Sequence, residues 1–161
     1  MLDTLGRDDE VKRRRLEREL LNYYYDTRDH MGEVVSVEEP FSIPDVEIII
    51  EGRTDLIIRT REGEMELVDF KAREHRGFER MDLEYQLRTY EYALRDRYSF
   101  DRLSAYAIRD SKKVSFDSDP EFRVKDGITE TVERIREECF EPRKNPFCSR
   151  CVFRRFCGVG D

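Results

Sequence analysis

The sequence predicts an α/β fold, a mixed central sheet flanked by helices and closed by a C-terminal cysteine loop. Three observations carry this expectation. Helical and strand periodicities follow one another in the order α-β-β-β-α-β-(β)-α, with no internal repeat or flexible linker between them. The segment Met65–Lys71 has apolar residues on both of its faces, Met65/Leu67 and Val68/Phe70, so it belongs in the middle of a sheet covered on both sides. All four cysteines fall after residue 138.

Taken in order, residues 9–28 read as a helix with Leu16, Leu20, Tyr23 and Tyr24 on one face and charges on the other. Glu33–Ile43 alternates loosely and reads as a strand that stops near Pro44. Val46–Ile50 is a largely β-branched run, expected to be a buried strand. Glu51-Gly52 suggests a bend or bulge before further strand character over Thr54–Thr60. Arg61-Glu62-Gly63-Glu64 is a hairpin turn leading into Met65–Lys71. Residues 81–97 form an amphipathic helix with the stripe Leu83, Leu87, Tyr90 and Leu94. Leu103–Ile108 and Lys113–Phe116 are expected to pair as a hairpin, and residues 121–140 hold the third helix. Pro142 and Pro146 break regular structure before the cysteine loop. The chain of 161 residues is thus expected to be one domain. Its parts are an N-terminal helix (1–32), a sheet core containing the 81–97 helix (33–118), and a C-terminal helix with the cysteine loop (119–161).

Composition narrows the function classes. No apolar run approaches the ~20 residues of a membrane span, and no signal-peptide core follows Met1. The expectation is a cytoplasmic protein with no membrane partner. The formal net charge is −7, from 30 Lys+Arg against 37 Asp+Glu. This does not exclude nucleic acid, because the basic residues cluster at Lys12–Arg15, Arg73–Arg80 and Arg143–Arg155.

Cysteines crowded at one end suit a metal or cluster site in a reducing compartment better than a disulfide framework. Cys148-x2-Cys151 with Cys157 six positions later is a tight thiolate loop, and short loops cost little closure entropy. Cys139 continues the helical row Ile128, Val132, Ile135, so a buried structural thiol and a fourth ligand are both open to it.

The central strands hold a second constellation. Asp55 and Asp69 are 14 residues apart, the span of one hairpin, and Asp69 and Lys71 share one face of their strand. Two carboxylates meeting on a mostly apolar sheet repel one another unless a hard divalent cation, Mg²⁺ or Mn²⁺, compensates them. A neighbouring ammonium can then orient water or stabilise developing charge, a combination suited to phosphodiester hydrolysis. An isolated D-x-K recurs by accident as a plain salt bridge. Here it ends a buried strand, follows an acid one hairpin earlier, and precedes a helix with Gln86 and Tyr90 on one face.

Gly52-Arg53-Thr54-Asp55, Val68-Asp69-Phe70-Lys71 and Gln86-Leu87-Arg88-Thr89-Tyr90, in that order, resemble the RecB-type branch of the PD-(D/E)XK nucleases. The C-terminal cysteines are similar to those of its iron–sulfur variant, which includes the AddB nuclease domain, four-cysteine CRISPR-associated exonucleases and helicase-fused nucleases. The resemblance implies a restriction-endonuclease-like core and a DNA nuclease of repair, recombination or CRISPR adaptation. It implies Asp55 and Asp69 as Mg²⁺/Mn²⁺ ligands, Lys71 as the catalytic lysine, and Gln86 and Tyr90 as substrate-binding residues. Cys148, Cys151 and Cys157 would be three ligands of a [4Fe–4S] cluster, with Zn²⁺ as the alternative. The fourth would be Cys139 or a cysteine upstream. The upstream acid or histidine that the branch adds to the metal site has Glu17, Glu19 and His30 as candidates, although a solvated charge suits Glu19 better and a loop or cap role suits His30 better. These two gaps suggest an excised C-terminal part of a larger protein, such as a helicase. The competing reading is a non-catalytic DNA-binding or assembly module with a metal-stabilised C-terminus.

Overall fold

In the computed structural model, residues 2–44, 48–72, 80–142, 144 and 148–158 are described, the side chains of residues 2–8, 80 and 81 excepted. The elements in chain order are α1 (Leu2–Thr27), β1 (Met31–Ile43), β2 (Ile50–Thr60), β3 (Met65–Lys71), α2 (Arg80–Leu94), β4 (Arg102–Ala107), β5 (Lys112–Asp117) and α3 (Val124–Arg136). A short 3-10 turn, Cys148–Arg150, follows.

The five strands lie in sequence order, β1-β2-β3-β4-β5, which puts β3 at the centre. Every pairing is antiparallel except β3 with β4, where α2 provides the crossover that parallel neighbours require. The β2–β3 hairpin turns at Gly63, whose φ of 93° is open to glycine without a Cβ clash. Alternation along the strands then builds two apolar layers. Ile57, Leu67 and Leu103 pack with Leu87 and Leu94 of α2 and with Val124, Ile128 and Val132 of α3. Leu56, Ile58, Val68 and Tyr106 face the other way, toward Tyr23 of α1. Ile57, Leu67, Leu87 and Leu103 are fully buried, each contributing roughly 1.5–3 kcal/mol relative to exposure.

The elements follow the expected order, with four differences. Of the Val46–Ile50 run, Val46 and Glu47 lie outside the described residues. Ile48 and Ile49 are exposed and precede the strand, which starts only at Ile50. Gly52 does not interrupt β2, because it pairs in register with Phe41 of β1. On α1, Leu16, Leu20 and Tyr24 are exposed, and the helix meets the sheet through Tyr23 and Asp26. Tyr23 sets its ring edge-on to Phe70 and Tyr106 at 5.0 and 4.8 Å, and Tyr106 donates to Asp26 Oδ2 at 2.6 Å. Finally, α3 stops at Arg136. Glu138 turns to φ 54° while Cys139 N–H closes back on Arg134 O at 2.9 Å. The buried row therefore ends at Val132, leaving Ile135 and Cys139 exposed.

Candidate active site

The C-terminal end of β3 carries two charged side chains on one face, Asp69 and Lys71. Phe70 between them points into the α1 layer. The β2–β3 pairing runs to Leu56↔Val68. One residue beyond, the side chain of Asp55 takes over from the ladder, its Oδ2 accepting the Phe70 N–H at 2.6 Å. That bond fixes the Asp55 carboxylate beside the backbone that joins Asp69 to Lys71.

Asp69 is only 5% exposed. Its Oδ2 lies 2.8 Å from Lys71 Nζ, yet no well-directed hydrogen bond reaches this buried oxygen. Burial pushes the Asp69 carboxyl up, Lys71 pulls it down, and the nearby Asp55 charge pushes it up again, leaving it above the usual range. Lys71 Nζ donates to Gln86 Oε1 at 2.8 Å, and Gln86 Nε2 donates to the Tyr90 hydroxyl at 2.6 Å. Asp69, Lys71, Gln86 and Tyr90 are thus linked one to the next. Burial raises the phenol of Tyr90, Gln86 lowers it, and the charges of Asp69 and Asp55 raise it further, so it stays protonated and able to donate. The α2 stripe of Leu83, Leu87 and Leu94 seats the helix on the sheet, which aims Gln86 and Tyr90, one turn apart, at the end of β3.

Sequence pattern gave Phe41 no place in this region, and Gly52 no role in packing. Phe41 of β1 lays its ring 5.5 Å from that of Tyr90. Gly52, its partner in register, leaves the space that ring occupies, since a Cβ there would stand 2.5 Å from Phe41 Cζ. A glycine inside a strand is a legible sign of such close approach; the identity of the ring above it is not. Gly52→Ala is expected to destabilise the protein by about 1–3 kcal/mol through overpacking, read as a lower urea midpoint. An unchanged midpoint would mean that Phe41 moves aside freely.

The donor set suits a hard divalent cation, because Asp69 offers a buried carboxylate oxygen short of donors and Asp55 stands on the adjoining strand. Among the described residues, however, no three His, Cys, Asp or Glu side chains gather where they could hold one ion. The three upstream candidates are engaged elsewhere. Glu17 is exposed and paired with Arg13 at 3.5 Å. Glu19, against the expectation of a solvated charge, is buried between Arg15 at 2.7 Å and Arg109 at 3.5 Å, because the sheet end beyond β4 closes over it. His30, in the turn after α1, bonds through Nε2 to Glu66 Oε2 at 2.7 Å, on the opposite face of β3 from Asp69. Cys148 and Cys157 are half-buried, Cys151 and Cys139 are exposed, and none of the four is in a disulfide. A backbone bond from Cys151 N–H to Cys148 O (3.3 Å) tightens the Cys-x2-Cys turn, but the cysteines form no metal-holding group among the described residues. The basic loop with His75 falls on residues 73–79, outside the described residues. Lys12–Arg15 lies on the exposed part of α1, where Arg13, Arg14 and Arg15 pair with acids one turn away.

No curated protein matches the chain. Among solved structures, that of SSO0001 is similar in fold, with a TM-score of 0.53 at 19% identity, covering 78% of this chain and 61% of that one. The present chain thus spans less than two thirds of that chain's length. The sequence pattern of the PD-(D/E)XK nuclease superfamily, whose members typically hydrolyse phosphodiesters with divalent metal ions, matches residues 5–158. With that match spanning nearly all of its length, and with a five-stranded mixed sheet flanked by helices, the chain belongs to the PD-(D/E)XK nuclease superfamily.

Proposed function

We propose that this chain is a Mg²⁺- or Mn²⁺-dependent DNA nuclease acting on ends or single strands, in repair, recombination or CRISPR adaptation. Asp55 and Asp69 would hold the ion, Lys71 would assist attack by water, and Gln86 and Tyr90 would meet the substrate. The observation that carries this reading is the buried, under-hydrogen-bonded Asp69 oxygen beside Lys71, with Asp55 fixed one strand away. A divalent ion bound there supplies Lewis-acid polarisation of a phosphoryl oxygen and lowers the pKa of water. The chain's own residues do the rest. Asp55 holds the Phe70 peptide, Gln86 orients the Lys71 ammonium, and Tyr90, its phenol kept protonated, braces Gln86 from the other side. A [4Fe–4S] cluster or Zn²⁺ on Cys148, Cys151 and Cys157 is not part of this proposal, since their described placement gathers no ligand set. A helicase as covalent neighbour rests on motif resemblance alone.

The test is digestion of end-labelled single- and double-stranded DNA with Mg²⁺ or Mn²⁺, with thermal melts run alongside. Either ion is expected to raise Tm, by the equivalent of about 2.7 kcal/mol at a hundredfold excess over Kd. Asp69→Asn should abolish both the shift and the cleavage, while leaving the metal-free protein at least as stable, because a costly buried charge is gone. Cleavage that survives Asp69→Asn would remove this site from the reaction.

A second reading, a DNA-binding module without hydrolysis, is favoured by one observation. Glu17, Glu19 and His30 are each committed to other partners, so a third ligand is lacking among the described residues. A folded wild type that binds DNA and shows no cleavage with either ion would decide for it.

A further inference from the structure

On the side of α2 away from Gln86 and Tyr90, a cavity of about 180 Å³ opens between the helix, the residue 95–100 turn and the segment that joins β5 to α3. Four rings border it, those of Tyr92, Tyr98, Phe100 and Phe122. Its polar groups are unusual. Arg88 is 5% exposed, commits Nη1 to Glu91 at 3.1 Å and Nη2 to Glu84 at 3.3 Å, and sits 5.5 Å from the Phe122 ring. Its Nε–H has no partner. Glu91, also buried, accepts from Arg88 through one oxygen and from the Ser118 hydroxyl through the other.

We infer that this cavity receives a nucleobase, unstacked from a nucleic-acid strand that passes the site at the end of β3. Size is the first argument. A cavity of about 150 Å³ holds benzene, so this one takes a single planar ring system and not a whole nucleotide. Charge is the second. Arg88 is shared by the carboxylates of Glu91 and Glu84, and Arg95 and Asp119 stand at the mouth, so no cation is left over for a phosphate and the cavity suits a neutral ring. Hydrogen bonding is the third. The unused Nε–H of Arg88 calls for one acceptor, and the remaining lone pairs of Glu91 call for a donor. The Watson–Crick edge of every nucleobase carries the two side by side, while its faces stack on aromatic side chains without regard to sequence. The pocket lies across α2 from the site, since Arg88 and Tyr92 project from the side opposite Gln86 and Tyr90, and it adjoins the start of β3, where Asp101 N–H bonds Met65 O at 2.9 Å; a strand that serves both therefore crosses α2, and the received base lies several nucleotides from the site. The inference rests on nucleic acid being the substrate, but it needs neither metal nor cleavage.

The chain contains no tryptophan, so Tyr92→Trp places a sole indole reporter in the cavity wall. Titration with thymidine and with deoxyguanosine, both uncharged, in EDTA is expected to give saturable changes in emission. Ser99→Phe, at the exposed mouth, should raise the apparent Kd at least tenfold in that background. The same plug should weaken binding of a single-stranded oligonucleotide at least threefold, measured by anisotropy with Lys71→Ala in EDTA. Circular dichroism confirms that each variant is folded. No saturable response to either nucleoside would overturn the pocket. A nucleoside response with oligonucleotide affinity unmoved by the plug would overturn the role of the strand. Because cleavage enters neither arm, a failure of the nuclease reading is seen separately.

Discussion

Lys71→Ala is expected to lower DNA cleavage by about 10²–10³-fold, the loss typical of removing one preorganised charge from a site of developing negative charge. The ammonium is held from two sides, by Asp69 Oδ2 at 2.8 Å and Gln86 Oε1 at 2.8 Å, so little reorganisation is needed when charge builds beside it. If Lys71 acts in the reaction rather than in holding the ion, the variant keeps the metal-induced rise in Tm while losing turnover. Lys71→Arg is not a safe control, since a planar fork does not replace a compact ammonium. Gln86→Ala serves better. It removes the orienting carbonyl, and a smaller loss of rate at unchanged fold is expected. Cleavage within twofold of wild type in Lys71→Ala would take the lysine out of the mechanism.

The largest effect on stability is expected at Glu66. This carboxylate is fully buried in the central strand, three residues before Asp69 and on the other face. It is bonded by Lys113 Nζ at 2.6 Å, by His30 Nε2 at 2.7 Å and by the Ser104 hydroxyl, which also meets Ser115 at 2.9 Å. The cluster joins the α1–β1 turn, β3, β4 and β5. Glu66→Ala leaves a lysine and a histidine facing an apolar layer, and about 3 kcal/mol is expected to be lost, the lower end for a broken buried pair because Lys113 is partly exposed. Burial by itself would raise the Glu66 carboxyl, but the bonds from Lys113, Ser104 and His30 outweigh it and hold the group below the usual range. The sign follows from that direction. The carboxylate's contribution is fully present above its unfolded pKa of about 4.3, and it fades as pH falls through the lower folded value. The gap in urea midpoint between wild type and Glu66→Gln should therefore be constant from pH 6 to about 5 and close below pH 4. A gap that widens on acidification would show that the group is held neutral.

Much of the fold could be read from periodicity because the relevant interactions are local. Met65–Lys71, apolar on both faces, is the central strand, and Leu83, Leu87, Tyr90 and Leu94 are the seam of α2. Asp69 and Lys71 share a face by strand geometry, and Gln86 and Tyr90 share one by helix geometry, so each pair was legible by itself. The contacts that join the pairs were not, nor was the bond from Asp55 to the Phe70 peptide, since each spans 15 residues and depends on how α2 or β2 is seated. The misreadings share a cause. Leu16, Leu20, Ile135 and Cys139 satisfy a helical period, but period specifies a face without saying whether anything covers it. Glu19 is charged, and charge alone suggests solvent; Glu66 had no reading of its own in the sequence. Only the approach of Arg15 and Arg109 to one, and of Lys113 and His30 to the other, makes burial tolerable.

By itself the sequence determined the element order, the central position of β3, and the face on which Asp69 and Lys71 lie, because backbone geometry imposes periods of 2 and 3.6 on any chain. The tertiary structure decided which charges are neutralised, which apolar rows are covered, and which side chains from β1, β2, β3 and α2 meet around one carboxylate. Those outcomes depend on distances between segments far apart in the chain, and a sequence pattern carries no distances.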